Sequence, residues 1–275
     1  MLILAATPIG NLSDASPRLV EHLVSSKFIA AEDTRSLLKL ANALGIKLNA
    51  RLFSLHEHNE GERIAQILEI AGEDDVLVVS DAGMPTVSDP GFLLVRAAVK
   101  ADIAVTIIPG PSAVLSALAV SGLPTDRFTF EGFLPRKTGD RKKAFESLAR
   151  ESRTMVFFES PHRILESLED AASVLGAERQ ASVSRELTKK FEHTQRGTLP
   201  ELVEWAKGEP KGEMVLVIAG AEAIEVKGED LVQQVLALIE DGIGLKQAVA
   251  EIAGAAGAGK SELYQSVLEA RKALR

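Results

Sequence analysis

VLVVSDAGMPTVSDPG, residues 76–91, decides the fold. Four apolar residues, three of them valines, run straight into a polar loop. An apolar run this short, bounded by turn residues and rich in β-branched side chains, predicts a strand buried on both faces. The loop SDAGMPTVSDPG (80–91) holds two Asp, two Gly and two Pro before the helical stretch FLLVRAAVKAD begins. A plain connection in an α/β unit needs only about 2–6 residues, so the longer loop predicts a binding segment. Ligands of open α/β sheets lie beyond the carboxyl ends of the strands. Asp81, at the start of this loop, can accept hydrogen bonds from a ligand's amine or ribose.

The same rhythm extends in both directions. LILAA (2–6) and KFIAAED (27–33) predict strands, each followed by a helix. The first helix has Ser16 as N-cap and Pro17 at its first position, and the second, SLLKLANALG, closes at Gly45. RLFSLHEHNE reads as a strand entering a polar turn, and ERIAQILEIAG places apolar residues at 64, 65, 67, 68 and 71 on one helix face. AVTIIPGPSAV reads as strand, turn and helix start. This alternation predicts an α/β sheet, largely parallel, over residues 1–122. GLPTDRF (122–128) reads as a linker. Strands RFTFEGFL, RTMVFFES, ASVSREL and EMVLVIAG, with helices near 141–150, 161–175 and 199–207, predict a second α/β domain over 123–221. From 222 to 275 only helical patterns remain.

Composition excludes several classes. The chain has 275 residues, a net charge of −8 and no cysteine, so it holds neither disulfides nor thiolate chemistry, which suits a reducing cytoplasm. MLILAATPIG lacks a basic leader, and no apolar run approaches the roughly 20 residues of a membrane span. One Trp and one Tyr leave no rows of aromatics for stacking bases. Any nucleic-acid contact of so acidic a chain must come from local basic patches. Two stand out: LPRKTGDRKK (134–143), with five Lys/Arg against one Asp, and SRELTKKFEHTQRG (184–197), with four against two Glu.

GAAGAGKS (254–261) fits the phosphate-binding pattern G-x-x-x-x-G-K-[ST]. That pattern works where a buried strand feeds the loop and a helix leaves it. Here AVAEIA precedes it with helical spacing, so the stretch predicts a turn between helices with Ser261 as N-cap. His56 and His58 flank Glu57, but no H-E-x-x-H pattern or third ligand accompanies them, and no metal site is expected. PGPSAV (109–114) places Ser112 at a helix start, where its N–H and hydroxyl can hold a carboxylate or ribose.

TPIGNLSD, AAEDTR, HEHNE, SDAGMPTVSDPG, PGPSAV, FFESPHR, SRELTKKFE and GEMVLVIAG occur in that order. Together they resemble the tetrapyrrole-methylase-type S-adenosylmethionine methyltransferases over residues 1 to about 220. Within that family they are most similar to the bacterial subgroup that methylates the ribose 2′-hydroxyl of a cytidine in the decoding region of 16S rRNA. The resemblance implies two α/β domains with the S-adenosylmethionine cleft between them, a small helical C-terminal extension, and a homodimer in the cytoplasm. By motif it carries cofactor contacts to Asp81, Ala82, Gly83, Met84, Ser112, Ala113, Phe158 and Leu199. Pro8, Gly10 and Asn11 would face the substrate, with Arg35, Arg136, Arg163 and Arg185 on its phosphates. Glu57 and Glu186 are the candidate bases, and Lys189 the candidate stabiliser of the developing alkoxide. The family's first loop is commonly G-x-G-P-G-D; TPIGNLSD is poorer in glycine, which favours the RNA subgroup over a tetrapyrrole substrate. The alternatives are a small-molecule methyltransferase of the same fold, a nucleotide-hydrolysing switch built on GAAGAGKS, and a non-catalytic RNA-binding module.

Overall fold

The valine run forms the middle strand of the first sheet in the computed structural model, which describes residues 1–56, 58–221, 228–256 and 258–273. The strands are β1 (Leu2–Ala5), β2 (Phe28–Ala31), β3 (Arg51–Ser54), β4 (Val76–Val79) and β5 (Val105–Ile108), in the order β3-β2-β4-β1-β5, all parallel. Side chains alternate between faces along each strand. On one face Ile3, Ile29, Leu77 and Val79 meet Leu19 and Leu23 of α1 (Pro17–Ser25) and Leu37 of α2 (Thr34–Ala43). On the other, Leu2, Leu4, Val76 and Val78 meet Ile67 of α3 (Glu60–Glu73) and Leu94 of α4 (Phe92–Lys100). Burial on both sides is why β4 carries no polar residue. The Ser16 hydroxyl accepts the Leu19 N–H at 3.1 Å, and Pro17 begins α1, as the sequence predicts.

The second sheet contains β6 (Phe128–Phe133), β7 (Thr154–Glu159), β8 (Gln180–Arg185), β9 (His193–Thr198) and β10 (Met214–Ile218), in the order β6-β7-β10-β8-β9. Only β6 and β7 run parallel; the other neighbours are antiparallel. Three helices, α6 (Thr138–Ser147), α7 (Ile164–Leu175) and α8 (Leu199–Ala206), cover one face. The opposite face receives α5 (Ala113–Ser121), which leaves the first sheet and packs Val114, Ala117 and Leu118 on Val156, Val215 and Val217. Gly122 ends α5 with φ +78°, a conformation that glycine tolerates best. Both sheets therefore lie in one compact unit, Met1–Ala221. Strand β9 is an addition to the strands expected from sequence: HTQRGT is polar throughout, as a partly exposed edge strand allows.

The remaining residues, Glu222–Arg275, form a second unit. Its helices are α9 (Gly228–Glu240), α10 (Leu245–Ala256) and α11 (Lys260–Ala273), packed around Val235, Val249, Leu263 and Val267. Among its described residues no strand feeds GAAGAGKS; the stretch runs from the end of α10 to the start of α11. The cap expected at Ser261 moves to Gly259. The Gly259 carbonyl accepts the Leu263 N–H at 3.0 Å, so Gly259 stands at the helix entrance and Ser261 lies inside the first turn.

Candidate active site

Three loops leave the carboxyl ends of β1, β4 and β5 and are tied to one another by backbone hydrogen bonds. Thr7 and Gly83 exchange both N–H···O bonds, at 2.9 and 3.1 Å. Ala6 donates to the Ile108 carbonyl at 3.0 Å. Gly83 has φ +78° and lies under Ile9, while a Cβ on Gly110 would come within 2.9 Å of the Ala6 Cβ. Close backbone approach, rather than ligand contact alone, therefore requires these two glycines.

The tied loops form one side of a cavity of about 650 Å³. Ile9, Ala82–Met84, Val87 and Asp89 come from the first two loops, and Ser112–Val114 from the start of α5. The second sheet supplies the opposite side: Phe133, Phe158–Pro161, Glu186, Leu187, Lys189 and Gly212–Val215. A volume of this order suits a small organic ligand. The segments that supply both walls hold non-glycine residues at positive φ: Thr86 (+74°) and Ser88 (+60°) on one side, Glu186 (+52°) and Thr188 (+66°) on the other. Such strain collects where a site over-determines the backbone.

The long loop is anchored at its far end by Glu60. This buried carboxylate accepts the N–H groups of Gly91 at 3.1 Å and Leu94 at 3.0 Å. Asp89, just before that anchor, has its pKa raised to about 6, first by burial and then by the nearby Glu32 and Asp81 carboxylates; a hydrogen bond with Ser80 partly offsets both.

Across the cavity, the Lys189 ammonium donates to Glu186 Oε1 at 3.1 Å and to Glu213 Oε2 at 2.9 Å. Glu186 Oε1 also accepts the Glu213 N–H at 3.1 Å. Its hydrogen bond to Lys189 outweighs burial and holds the Glu186 carboxyl below its usual range. Burial works against the Lys189 charge, but the bonds to Glu213 and Glu186 prevail and raise its pKa. The cluster fits only beside glycines. A Cβ on Gly212 (φ +99°) would clash with Glu186 Cγ, and one on Gly10 with Lys189 Cγ.

Several residues predicted from sequence line the cavity: Ala82, Gly83, Met84, Ser112, Ala113, Phe158, Glu186 and Lys189. Others do not. Asp81 turns away, its carboxylate accepting the Asp33 N–H at 3.2 Å and the Ser36 hydroxyl at 3.3 Å. Leu199 is fully buried on the helix-covered face of the second sheet, with Leu202 and Ala206, and does not line the cavity. Of the first loop only Ile9 lines the wall; Asn11 instead accepts the Ser13 N–H at 3.0 Å, and Pro8 and Gly10 flank Ile9. Glu57 lies outside the described residues.

The arginines have varied surroundings. Arg35 is exposed and forks onto Asp33, whose pKa is lowered to about 2 by that hydrogen bond. Arg163 neutralises the buried Glu159 at 2.6 Å and donates to the Leu134 carbonyl at 3.2 Å, so its guanidinium is committed inside the protein. Arg185 donates to the Lys211 carbonyl at 3.2 Å. Arg136 is exposed. The first basic patch is smaller than its sequence suggests, because Arg141 is fully buried against Asp170 (2.7 Å) and Glu166 (3.3 Å). In the second patch, Lys189 is taken up by its two glutamates, and Arg196 donates to the Val120 carbonyl.

Sequence reading missed Asp89, Phe133 and Glu60. Asp89 stands within the same long loop, without a signal to separate it from Asp81. Phe133 and Glu60 have none, since a strand Phe and an acid in the first turn of a helix are commonplace.

Known proteins share this fold. Residues 1–203 match the family described as Tetrapyrrole (Corrin/Porphyrin) Methylases. The ribosomal RNA small subunit methyltransferase I of Mycobacterium tuberculosis (strain CDC 1551 / Oshkosh) is 47% identical over 273 residues, covering 98% of this chain and 95% of that protein. The crystal structure of the methyltransferase CobJ superposes with a TM-score of 0.60 at 20% identity, over 80% of this chain and 94% of that one. The uroporphyrin-III C-methyltransferase of Thermus thermophilus, complexed with S-adenosyl homocysteine, superposes with a TM-score of 0.53 at 17% identity, over 79% and 96%.

Proposed function

Because the chain belongs to the tetrapyrrole (corrin/porphyrin) methylase family, we propose that it transfers a methyl group from S-adenosylmethionine to the ribose 2′-hydroxyl of a cytidine in the decoding region of 16S rRNA. The observation that carries the substrate class is sequence identity. The relative named for ribosomal RNA is 47% identical over 98% of the chain, whereas the uroporphyrin enzyme, at 17%, shares the fold alone.

The cavity suits the cofactor. S-adenosylmethionine, when bound, supplies a methyl group already activated on a cationic sulfur. Ala82, Gly83 and Met84, with Ser112 and Ala113, form the wall that would hold it, and Phe158 closes the opposite side. The carboxylate of Asp89 on the wall complements its positive charge.

The chain's own task is to place the ribose oxygen in line with the methyl and to accept its proton. Correct placement can supply about 7–11 kcal/mol of the barrier. Asp89 is the proton acceptor in this reading: it is the carboxylate on the first-sheet wall of the cavity, across from Lys189, and its raised pKa suits a base. Glu186, held below its usual range, is a poor base and instead keeps Lys189 charged and aimed at the cavity. The Lys189 ammonium then stabilises the developing alkoxide. Exposed Arg136 and Arg35 contact phosphates.

A homodimer fits the apolar side chains left exposed on three successive elements: Phe92, Leu93 and Val99 of α4, Ile107 of β5, and Leu115 and Val120 of α5. Among the described residues no helix is long and apolar enough to cross a membrane, and a ribosomal substrate implies the cytoplasm.

Incubation with radiolabelled S-adenosylmethionine, using small ribosomal subunits from cells lacking the gene in parallel with uroporphyrinogen, tests the substrate class. Label in 16S rRNA supports the reading. Label in the tetrapyrrole alone replaces it with the small-molecule alternative.

A further inference from the structure

Strand β6 contains one residue too many. Phe128, Thr129 and Phe130 pair in step with Thr154, Met155 and Val156 of β7, but the next pair is Phe133 with Phe158. Three residues on β6 thus span two on β7, and Gly132 takes up the excess at φ +69°. This is a β-bulge, a device that re-aims a side chain, often beside an active site. In a regular strand Phe133 would face opposite to Phe130. The bulge brings both rings onto Phe158, edge to face, at 4.9 Å for Phe130 and 5.4 Å for Phe133.

The two rings then differ in surroundings. Phe130 packs against the inter-sheet core, while Phe133 is 60% exposed and lines the cavity. The bulge borders the long loop, with Ser88 Oγ 4.0 Å from where a Gly132 Cβ would stand. Val87 of that loop, 38% exposed, also lines the cavity. The site thus has an apolar rim formed by two irregular segments, one from each sheet. Exposed Arg136 and Lys137 follow three and four residues after Phe133.

An aromatic ring beside exposed cations fits a nucleotide, whose base stacks while its phosphates meet the cations. A ribose can enter a cavity of this size only if its nucleotide is unpaired or turned out of its stack, which leaves a bare base face to be covered. We propose that Phe133 is the stacking platform for the target base, set in place by the Gly132 bulge. This deepens the ribosomal reading and rests on it. Phe158 closes the cofactor wall of Ala82–Met84 and Ser112–Ala113 from the second sheet, and Phe133, more exposed and on the outer side of Phe158, is left for the acceptor.

The test compares wild type, Phe133→Ala and Phe133→Tyr in the full chain. Cofactor affinity is read by calorimetry, and KM and kcat on small subunits that lack the modification. Loss of one base stack corresponds to roughly a tenfold or greater rise in the subunit KM for Phe133→Ala. Cofactor affinity stays unchanged, and Phe133→Tyr restores the KM. Equal weakening of cofactor binding would assign the ring to adenine and overturn the proposal, as would an unchanged KM in Phe133→Ala. A wild type inactive on subunits would refute the ribosomal reading itself and take the platform with it.

Discussion

Glu60 holds Gly91: its buried carboxylate accepts the Gly91 N–H at 3.1 Å, and the same oxygen accepts that of Leu94 at 3.0 Å. One side chain on α3 thereby fixes the end of the loop that carries Met84, Val87 and Asp89 to the cavity. Glu60→Ala leaves two backbone donors without their acceptor. The expected loss is about 3–6 kcal/mol of stability, since each of the two hydrogen bonds to a charged group contributes about 1.5–3 kcal/mol. Denaturant unfolding measures it, and cofactor affinity should fall alongside; an unchanged unfolding midpoint would rule out the anchor.

The sign of the Asp89 effect is fixed by its raised pKa of about 6. Between an ordinary carboxyl pKa of about 4 and this value, the folded chain holds a proton that the unfolded chain has released. This group's contribution to stability therefore falls as pH rises through that window, and the penalty persists above pH 6. Asp89→Asn should melt higher than wild type at neutral pH and lose this pH dependence. Activity runs the other way. The kcat/KM for the cofactor should rise as Asp89 of the free enzyme ionises near pH 6, and Asp89→Asn should lower kcat by about 100-fold or more, the usual scale for a general base. A kcat within a few-fold of wild type would remove Asp89 from the mechanism.

Gly212 makes room for Glu186, and Glu186 makes a place for Lys189. Gly212→Ala adds a Cβ at positive φ into the Glu186 side chain, so the cluster must shift. A destabilisation of about 1–3 kcal/mol is expected for this combination of overpacking and strain. Single-turnover rates should drop more than cofactor affinity; the reverse pattern would place the cluster on the donor side.

Arg141 and Lys143 share a basic stretch but not a role. Removing the fully buried Arg141 abandons the carboxylate of Asp170, and Arg141→Ala should cost about 3–5 kcal/mol. Lys143 is exposed, and Lys143→Ala should leave stability within about 0.5 kcal/mol. If Lys143 meets a phosphate, its loss should reduce the salt dependence of subunit binding by about one charge. Thermal melts and binding at several salt concentrations separate the two.

The first sheet was legible because its signals are local. A strand buried on both faces must be apolar, as VLVV is, and the Ser16–Pro17 cap is written in adjacent residues. The order of its strands and the bridge from Thr7 to Gly83 are not local, and only the fold reveals them. Strand β9 escaped because an edge strand needs no apolar alternation. At the site, the motifs located the loops but not the direction of each side chain. Asp81 and Asp89 are equivalent in sequence, and the turn toward Asp33 and Ser36 is what draws Asp81 away. Arg141 and Arg163 read as surface cations until their buried carboxylate partners are seen.

The methyl group is expected on one atom, the ribose 2′ oxygen. Small subunits lacking the modification should be methylated by the purified chain, and the extracted 16S rRNA cleaved in alkali. A 2′-O-methyl group blocks cleavage at its own linkage. One new block is expected, at a single cytidine in the decoding region, appearing about 100-fold more slowly when Asp89→Asn replaces wild type. Methyl incorporation with no alkali-resistant linkage would place the group on a base, and would contradict the roles of Asp89 as proton acceptor and Lys189 as alkoxide stabiliser.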